Sequence, residues 1–177
     1  RNLGRGVLMA GDHAEDGGPA KPPSAPRLSV PFSPPLNLLN RLTLTAFNEL
    51  YYRRAPQQPA TGIVAWSSYF HPLDAITGWN RLYGPRGLFQ HQSVYPSENA
   101  RAVTVSLIEC AQRHGASSFL TVLKRFGDMP SPGLMSFPRP GFTLTLDFAN
   151  SGGRTLKMLD ALDEIVMGAG GALNPYK

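Results

Sequence analysis

Apolar residues recur at intervals of three and four in three stretches of the chain, which predicts three amphipathic helices. The first begins near Leu36 and ends near Arg54. Its apolar side consists of Leu36, Leu39, Leu42, Ala46, Phe47, Leu50 and Tyr51. The second begins at Ser97, a favourable N-cap residue, and ends at Gly115. The third covers about 153–167 and ends before Gly168.

Four segments are rich in β-branched and aromatic residues and favour strands: 62–70, 87–95, 118–126 and 141–148. A short helix over 72–84 is predicted between the first two, with Pro72 in its first turn and Gly84 at its end. From residue 87 the order is strand, helix, strand, strand, helix and the start of another strand, which is the ferredoxin-like split unit. The sequence therefore predicts an α+β domain with one antiparallel sheet and helices packed on one face.

The remaining segments suggest how the chain is organised. Residues 1–12 contain a weakly alternating run that predicts a short entry strand from a preceding domain. Residues 13–35 are rich in Pro, Gly, Ala and Ser, which predicts a flexible segment because it has little apolar surface to bury. Residues 36–177 form the predicted domain. Within it, the Pro- and Gly-rich connector 127–140 is longer than a hairpin needs, which favours a functional or mobile loop.

Alternation with a period of two gives the three strongest strands two different faces. One face is mainly apolar, and we expect helices to cover it: Phe89, Phe119, Thr121, Leu123, Phe142, Leu144, Leu146 and Phe148. The opposite face, called the polar face here, carries Leu88, Gln90, Gln92, Leu120, Val122, Lys124, Phe126, Thr143, Thr145 and Asp147. This mixture of amides, hydroxyls, one ammonium group and apolar side chains predicts a surface for a ligand or another domain. The alternative is an ordinary solvated face of an antiparallel sheet.

Charge and cysteine content narrow the class of protein. The net charge of +5 comes from 17 Lys and Arg against 12 Asp and Glu, and the basic residues are scattered along the chain. This distribution argues against nucleic-acid binding. The single cysteine, Cys110, excludes an internal disulfide and fits a reducing compartment. Because the chain has neither a long apolar run nor a signal-like start, the sequence predicts a cytoplasmic protein without a membrane span.

Known catalytic motifs are absent from the sequence. The four histidines have no metal-ligand spacing, and we find no nucleophile elbow, P-loop or complete dinucleotide-binding fingerprint. The acidic residues Asp160, Asp163 and Glu164 are expected on the exposed side of the last helix. The sequence therefore gives no set of residues that would catalyse a reaction without further groups.

Four motifs taken together resemble a known family: 69-YFHPLDAITGWNRLYGPRGLFQHQSVYP-96, 118-SFLTVLKRFG-127, 136-SFPRPGFTLTLDF-148 and 170-GGALNPYK-177. They are similar in order and spacing to the substrate (cap) domain of FAD-linked oxidoreductases of the decaprenylphosphoryl-ribose oxidase-like group, in the vanillyl-alcohol-oxidase superfamily. The resemblance covers most of residues 36–177. It implies that FAD is held mainly by a separate domain of the same polypeptide. Residues 1–12 would be the entry strand from that preceding domain, and the chain would return to it after the cap.

The resemblance also implies a substrate pocket, formed by Gln90, Gln92, Lys124, Val122, Phe126, Leu73, Arg81, Thr143 and Thr145. Thr143 and Thr145 stand where mycobacterial members have Asn and Cys. Lys177, in the context 174-NPYK-177, matches the lysine that contacts both flavin and substrate in the family, and is the implied catalytic residue. The amides and Lys124 would bind the hydroxyls of a sugar-like alcohol during hydride transfer to FAD.

Three hypotheses follow for function. In the first, the chain is the substrate-binding part of an FAD-dependent oxidoreductase acting on an alcohol, and is inactive by itself. In the second, it is a non-catalytic module that uses the polar face to bind a small ligand or a protein. In the third, it is a structural domain with a solvated sheet, so that Gln90→Ala and Lys124→Ala would change no ligand or activity assay.

Overall fold

A computed structural model describes residues 7–15, 28–35, 40–55, 60–71, 75–130, 132–134 and 136–175. The α-helices are α1 (Arg41–Arg54), α2 (Trp66–Phe70), α3 (Ala100–Arg113) and α4 (Gly153–Gly168). The strands are β1 (Leu28–Ser29), β2 (Ile76–Thr77), β3 (Leu88–Tyr95), β4 (Thr121–Phe126), β5 (Gly141–Ala149) and β6 (Ala172–Leu173). Two 3₁₀ turns, Trp79–Tyr83 and Ser97–Asn99, precede β3 and α3.

Strands β3 to β6 form one antiparallel sheet in the order β4-β5-β3-β6. The chain enters the sheet at β3, crosses through α3 to the edge strand β4, turns back into β5 beside β3, and crosses again through α4 to β6. The predicted ferredoxin-like order and the α+β class are therefore confirmed. A separate pair of two-residue strands, β1 and β2, is parallel.

The main core lies between this sheet and the helix pair α3 and α4. Leu107, Leu162 and Val166 are fully buried there against Leu144 and Phe148 of β5. Burying each such side chain contributes about 1.5–3 kcal/mol to folding. Apolar residues recur at helical spacing on α3 and α4 and at every second position of β5, which explains why these elements pack together.

The turn into β5 requires a glycine. Gly141 has a φ of 145°, and a Cβ at this position would collide with the backbone carbonyl of Tyr95 on β3. Glycine therefore permits the close approach of β5 to the end of β3 that starts the central strand pair.

Helix α1 begins later and packs less than its apolar spacing predicts. The expected start lies among residues 36–39, which are outside the described residues, and the helix begins after Asn40. The Asn40 side chain accepts hydrogen bonds from the backbone of Leu42 and Thr43, and the Thr43 hydroxyl completes a capping box. Exposed apolar side chains extend along the helix, at Leu42, Phe47, Leu50 and Tyr51. Leu44 alone is buried among the α1 residues whose side chains are described.

The prediction of a strand over 62–70 is wrong. Residues 61–65 have no regular secondary structure and α2 occupies Trp66–Phe70, with Ile63 and Val64 largely exposed. Strand-forming residues need a neighbouring strand to pair with, and the described chain offers none here. The predicted helix over 72–84 is also wrong in its described part, which consists of β2 and a 3₁₀ turn. Residues 7–12 of the predicted entry strand have no regular structure, while 1–6 lie outside the described residues.

The edge strand β4 starts at Thr121, so Phe119 does not belong to the helix-covered face on which it was expected. Phe119 packs instead on a second cluster with Leu44 and Tyr83, and its ring lies 5.9 Å from that of Phe47. Thr121 and Leu123 are exposed because β4 is an edge strand that the helix pair leaves open.

Two expectations about helix ends and faces are corrected as well. Asn99, rather than Ser97, occupies the N-cap position of α3, because residues 97–99 form a 3₁₀ turn. Asp163 does not lie on a purely exposed side of α4: its carboxylate is 3.0 Å from Nε2 of the buried His91 on β3.

Candidate substrate-binding face

The strand register brings the predicted polar residues together on the side of the sheet opposite α3 and α4. Gln92 of β3 is opposite Thr145 of β5, and Thr145 is opposite Val122 of β4. Lys124 is opposite Thr143, and Gln90 is opposite Asp147. Directly opposed residues have Cβ atoms about 4.5–5.5 Å apart, so these side chains form a continuous surface.

The two ends of the polar face are bordered by different elements. Tyr83, Leu88 and Phe119 form the second cluster together with Leu44, and this cluster covers the end at Asp147. At the opposite end, Phe126 packs edge-on against Phe137 of the connector 127–140, with ring centroids 6.1 Å apart. Phe137 of the connector therefore borders the polar face.

Each glutamine of the Q-x-Q pair is held by a different partner. The side-chain amide of Gln90 donates to Asp147 Oδ1 at 2.9 Å. The side-chain amide of Asn174, just after β6, donates to Gln92 Oε1 at 2.8 Å, and its backbone N–H donates to the Gln92 carbonyl at 2.9 Å. Both glutamines are half-buried and reach solvent.

The threonines are more buried than an ordinary solvated face requires. Thr143 is 1% exposed and Thr145 is 9% exposed. The Thr143 hydroxyl has no hydrogen-bond partner among the described residues. Leaving such a group unpaired costs about 1–3 kcal/mol, and most buried polar atoms in proteins are paired.

Asp147 lies on the polar face, as the sequence predicted, but it is not among the predicted site residues. Its carboxyl is fully buried, and Oδ2 has no hydrogen-bond partner among the described residues. Burial raises the pKa of Asp147 above its ordinary value, an effect partly offset by the hydrogen bond from Gln90. Burial, followed by the negative charge of Asp147, likewise raises the pKa of the Tyr83 hydroxyl. Alternation with Thr143 and Thr145 was the sequence signal for Asp147, but alternation does not show burial.

The other predicted site residues differ in where they lie. Val122 and Phe126 are half-buried and Lys124 is exposed on the polar face. Arg81 instead donates from Nη1 to the backbone carbonyls of Val30 and Pro31, at 2.7 and 2.9 Å, so it anchors the segment after β1. Leu73 and Lys177 lie outside the described residues.

The chemistry of the polar face fits a hydroxylated ligand. The face carries half-buried amides, buried hydroxyls and one exposed ammonium group around the apolar side chains of Val122 and Phe126. Lys124 is the one cation among the described residues of this face, and glycine-rich backbone of the kind that cradles a pyrophosphate does not line its described strands. These described groups therefore suit a hydroxylated ligand rather than a pyrophosphate.

The chain is similar to characterised and uncharacterised proteins over most of its length. It is 35% identical over 150 residues to the decaprenylphosphoryl-β-D-ribose oxidase of Mycolicibacterium smegmatis, an alignment that covers 85% of this chain and 32% of that oxidase. It is 29% identical over 183 residues to an uncharacterised protein of the mprA 5′ region of Streptomyces coelicolor, covering 95% of this chain and 48% of that protein. No family model matches the sequence.

These alignments confirm the resemblance to decaprenylphosphoryl-ribose oxidase-like proteins that the four sequence motifs predict. The relationship supports an oxidoreductase family in general. The chain spans about a third of the oxidase and about half of the Streptomyces protein. None of the helices in the described ranges is both long and apolar enough to cross a membrane.

Proposed function

We propose that this chain is the substrate-binding part of an FAD-dependent oxidoreductase that oxidises a sugar-like or other alcohol. The observation that carries the proposal is the coincidence of two findings. The chain aligns with an oxidase over 85% of its length, and its ferredoxin-like sheet carries Gln90, Gln92, Lys124, Thr143 and Thr145 together on the face opposite α3 and α4.

In the proposed reaction this chain binds and orients the alcohol. The amides of Gln90 and Gln92 and the ammonium group of Lys124 bind hydroxyl groups, while Val122 and Phe126 contact the apolar side of the ligand. Holding the reacting carbon in one position removes much of the entropic barrier. When bound, FAD supplies the acceptor for the hydride of the carbinol carbon. The proposed role of Lys177 is to orient the substrate oxygen and stabilise the charge that develops on it.

The proposed partner is an FAD-binding domain of the same polypeptide. Exposed apolar side chains of α1 and α2 support it: Leu42, Leu50, Trp66 and Phe70. Surfaces of this kind mark interaction sites. The aligned oxidase extends well beyond the region that this chain matches. The buried thiol of Cys110 fits the reducing cytoplasm, which is the location we propose.

The test uses the complete open reading frame that contains this chain. The purified product should be yellow, and its flavin absorbance should bleach anaerobically when a sugar or other polyol is added, whereas the 177-residue chain alone should be colourless. A complete product that neither contains flavin nor takes it up would overturn the proposal. That outcome would favour a non-catalytic module that uses the polar face.

A further inference from the structure

The two glutamines of β3 are held in opposite senses. Gln90 donates its amide N–H to Asp147, whereas Gln92 accepts an amide N–H from Asn174. No hydrogen bond within the described residues reaches Gln90 Oε1 or Gln92 Nε2. Each glutamine therefore has one amide atom engaged within the protein and the other available on the polar face.

The chemistry of the partner gives the polarity at Gln90, and the observed contact with Asn174 gives it at Gln92. The ionised Asp147 carboxylate can only accept, so in that state it requires the NH₂ group of Gln90 to point toward it. The carbonyl oxygen Oε1 of Gln90 is then the free group. At Gln92 the NH₂ group of Asn174 occupies Oε1, and the free group is Nε2 with its N–H donors.

We propose that Asp147 and Asn174 are positioning residues that make Gln90 a hydrogen-bond acceptor and Gln92 a donor toward the ligand. The site would then select a polyol with one hydroxyl that donates to Gln90 and a second oxygen that accepts from Gln92. This inference rests on the proposed function, because it specifies how the same face recognises its alcohol. Same-face residues of a strand are about 6.6 Å apart, so the two contacts belong to different oxygens of the ligand.

The fold does not need the Asp147 carboxyl to hold this part of β5 in place. The backbone N–H of Asp147 already donates to Ser118 Oγ at 3.0 Å and to the Leu120 carbonyl at 3.4 Å. Burying a carboxyl group costs free energy unless it is fully hydrogen-bonded, and Oδ2 of Asp147 is not bonded within the described chain. The Asp147 carboxyl lies beside the Tyr83 hydroxyl and accepts a hydrogen bond from Gln90. Its burial, despite this cost, is consistent with a role in orienting the Gln90 amide.

The first test measures amide polarity by NMR on the 177-residue chain. Scalar couplings across hydrogen bonds should link Gln90 Nε2 to the Asp147 carboxyl carbon and Asn174 Nδ2 to the Gln92 amide carbon. The reverse coupling, from Gln92 Nε2 to the Asn174 amide carbon, would overturn the proposal. So would the absence of coupling between Gln90 and Asp147 while the Asn174 coupling is observed.

A pH titration of the same sample provides a second readout. The Gln90 side-chain amide shift should follow Asp147 through a step above pH 3.8, and the step should vanish in Asp147→Asn. The Gln92 amide is the internal control and should show no such step. In the described part of the chain, the titratable neighbour of Asp147 is Tyr83, which is neutral in this range. The inference is contradicted if the Gln92 amide shift shows the Asp147 titration step, or if the Gln90 amide shift does not show it.

The third test is a double-mutant cycle in the complete flavoprotein, with D-ribose as the probe and affinity as the readout. Asp147→Leu should weaken D-ribose binding about tenfold, because Gln90 loses its fixed orientation. Asp147→Asn keeps an oxygen acceptor and should restore most of the affinity. In a Gln90→Ala background, Asp147→Leu should cause no further loss. An equal loss in both backgrounds would show that Asp147 acts through overall structure instead.

These readouts separate this inference from the proposed function. If the complete protein holds no flavin, the proposed function is contradicted. If it holds flavin but does not bind D-ribose, only a ribose-like ligand is contradicted. The NMR couplings are measured without flavin or ligand, so they test the amide polarity in either case.

Discussion

The two faces of the four-stranded sheet differ in the kinds of side chain that they bury. On the face covered by α3 and α4, most buried positions, such as Leu144 and Leu146, are apolar and contact other apolar side chains, and the buried Ser93 hydroxyl is an exception without a hydrogen-bond partner among the described residues. On the polar face, Thr143 and Asp147 are equally buried, yet each has an oxygen with no hydrogen-bond partner among the described residues. Apolar burial, which dominates the first face, stabilises the fold, while burial of the unpaired oxygens of Thr143 and Asp147 on the second face costs stability.

The largest expected effect is on the helix-covered face. Leu162→Ala should lower the free energy of unfolding by about 2–5 kcal/mol, because Leu162 is fully buried and its truncation leaves a cavity. Leu156→Ala on the same helix is the matched control and should change stability by less than about 0.5 kcal/mol, since Leu156 is 48% exposed. Urea denaturation measures both. Equal losses for the two variants would refute the assignment of the core to this face.

The second prediction concerns pH. Because the pKa of Asp147 is raised in the folded state, the folded chain binds more protons than the unfolded chain above pH 3.8. The stability that Asp147 contributes is present below that pH and is lost as pH rises through its folded-state pKa. Asp147→Asn should therefore become progressively more stable relative to wild type over this range. Urea titrations from pH 3.5 to 7 measure the difference, and a difference independent of pH would show that Asp147 is not shifted.

The smallest expected effect on stability is at Thr143. Thr143→Val removes the unpaired buried hydroxyl and keeps the branched shape, so it should raise the unfolding free energy by about 1 kcal/mol. In the complete flavoprotein the same substitution should weaken binding of the alcohol. Thermal unfolding measures the gain in stability, and ligand titration measures the loss of affinity. A loss of stability would indicate that the hydroxyl has a partner within the protein, and would remove the contrast between the two faces.

The sequence predicted the sheet and its two faces well because each signal there is repeated. Period-two alternation in β3 and β5 agrees with the helical spacing of α3 and α4, and the order of elements leaves one ferredoxin-like arrangement. The agreement extends to the polar face, where Gln90, Gln92 and Lys124 lie as the alternation indicated.

The sequence predicted the region before β3 less well because its local propensities have no matching partner. Strand-forming residues at 62–70 become coil and helix without a neighbouring strand, and the apolar residues of α1 remain exposed. Phe119 departed from its expected face because β4 begins two residues after it. The buried contacts of Asp147 and of His91 with Asp163 depend on tertiary packing, which residue types alone do not reveal.

The most direct test of the central claim compares two neighbouring cations of β4 in the complete flavoprotein. Lys124 and Arg125 are both exposed, but only Lys124 lies on the polar face. Flavin reduction by the alcohol that bleaches the wild-type enzyme is measured for Lys124→Ala and Arg125→Ala. The account predicts that Lys124→Ala raises the apparent KM about tenfold, as expected for the loss of a charged hydrogen bond, and that Arg125→Ala leaves it unchanged. Equal kinetics for the two variants would contradict the assignment of the polar face as the substrate-binding surface.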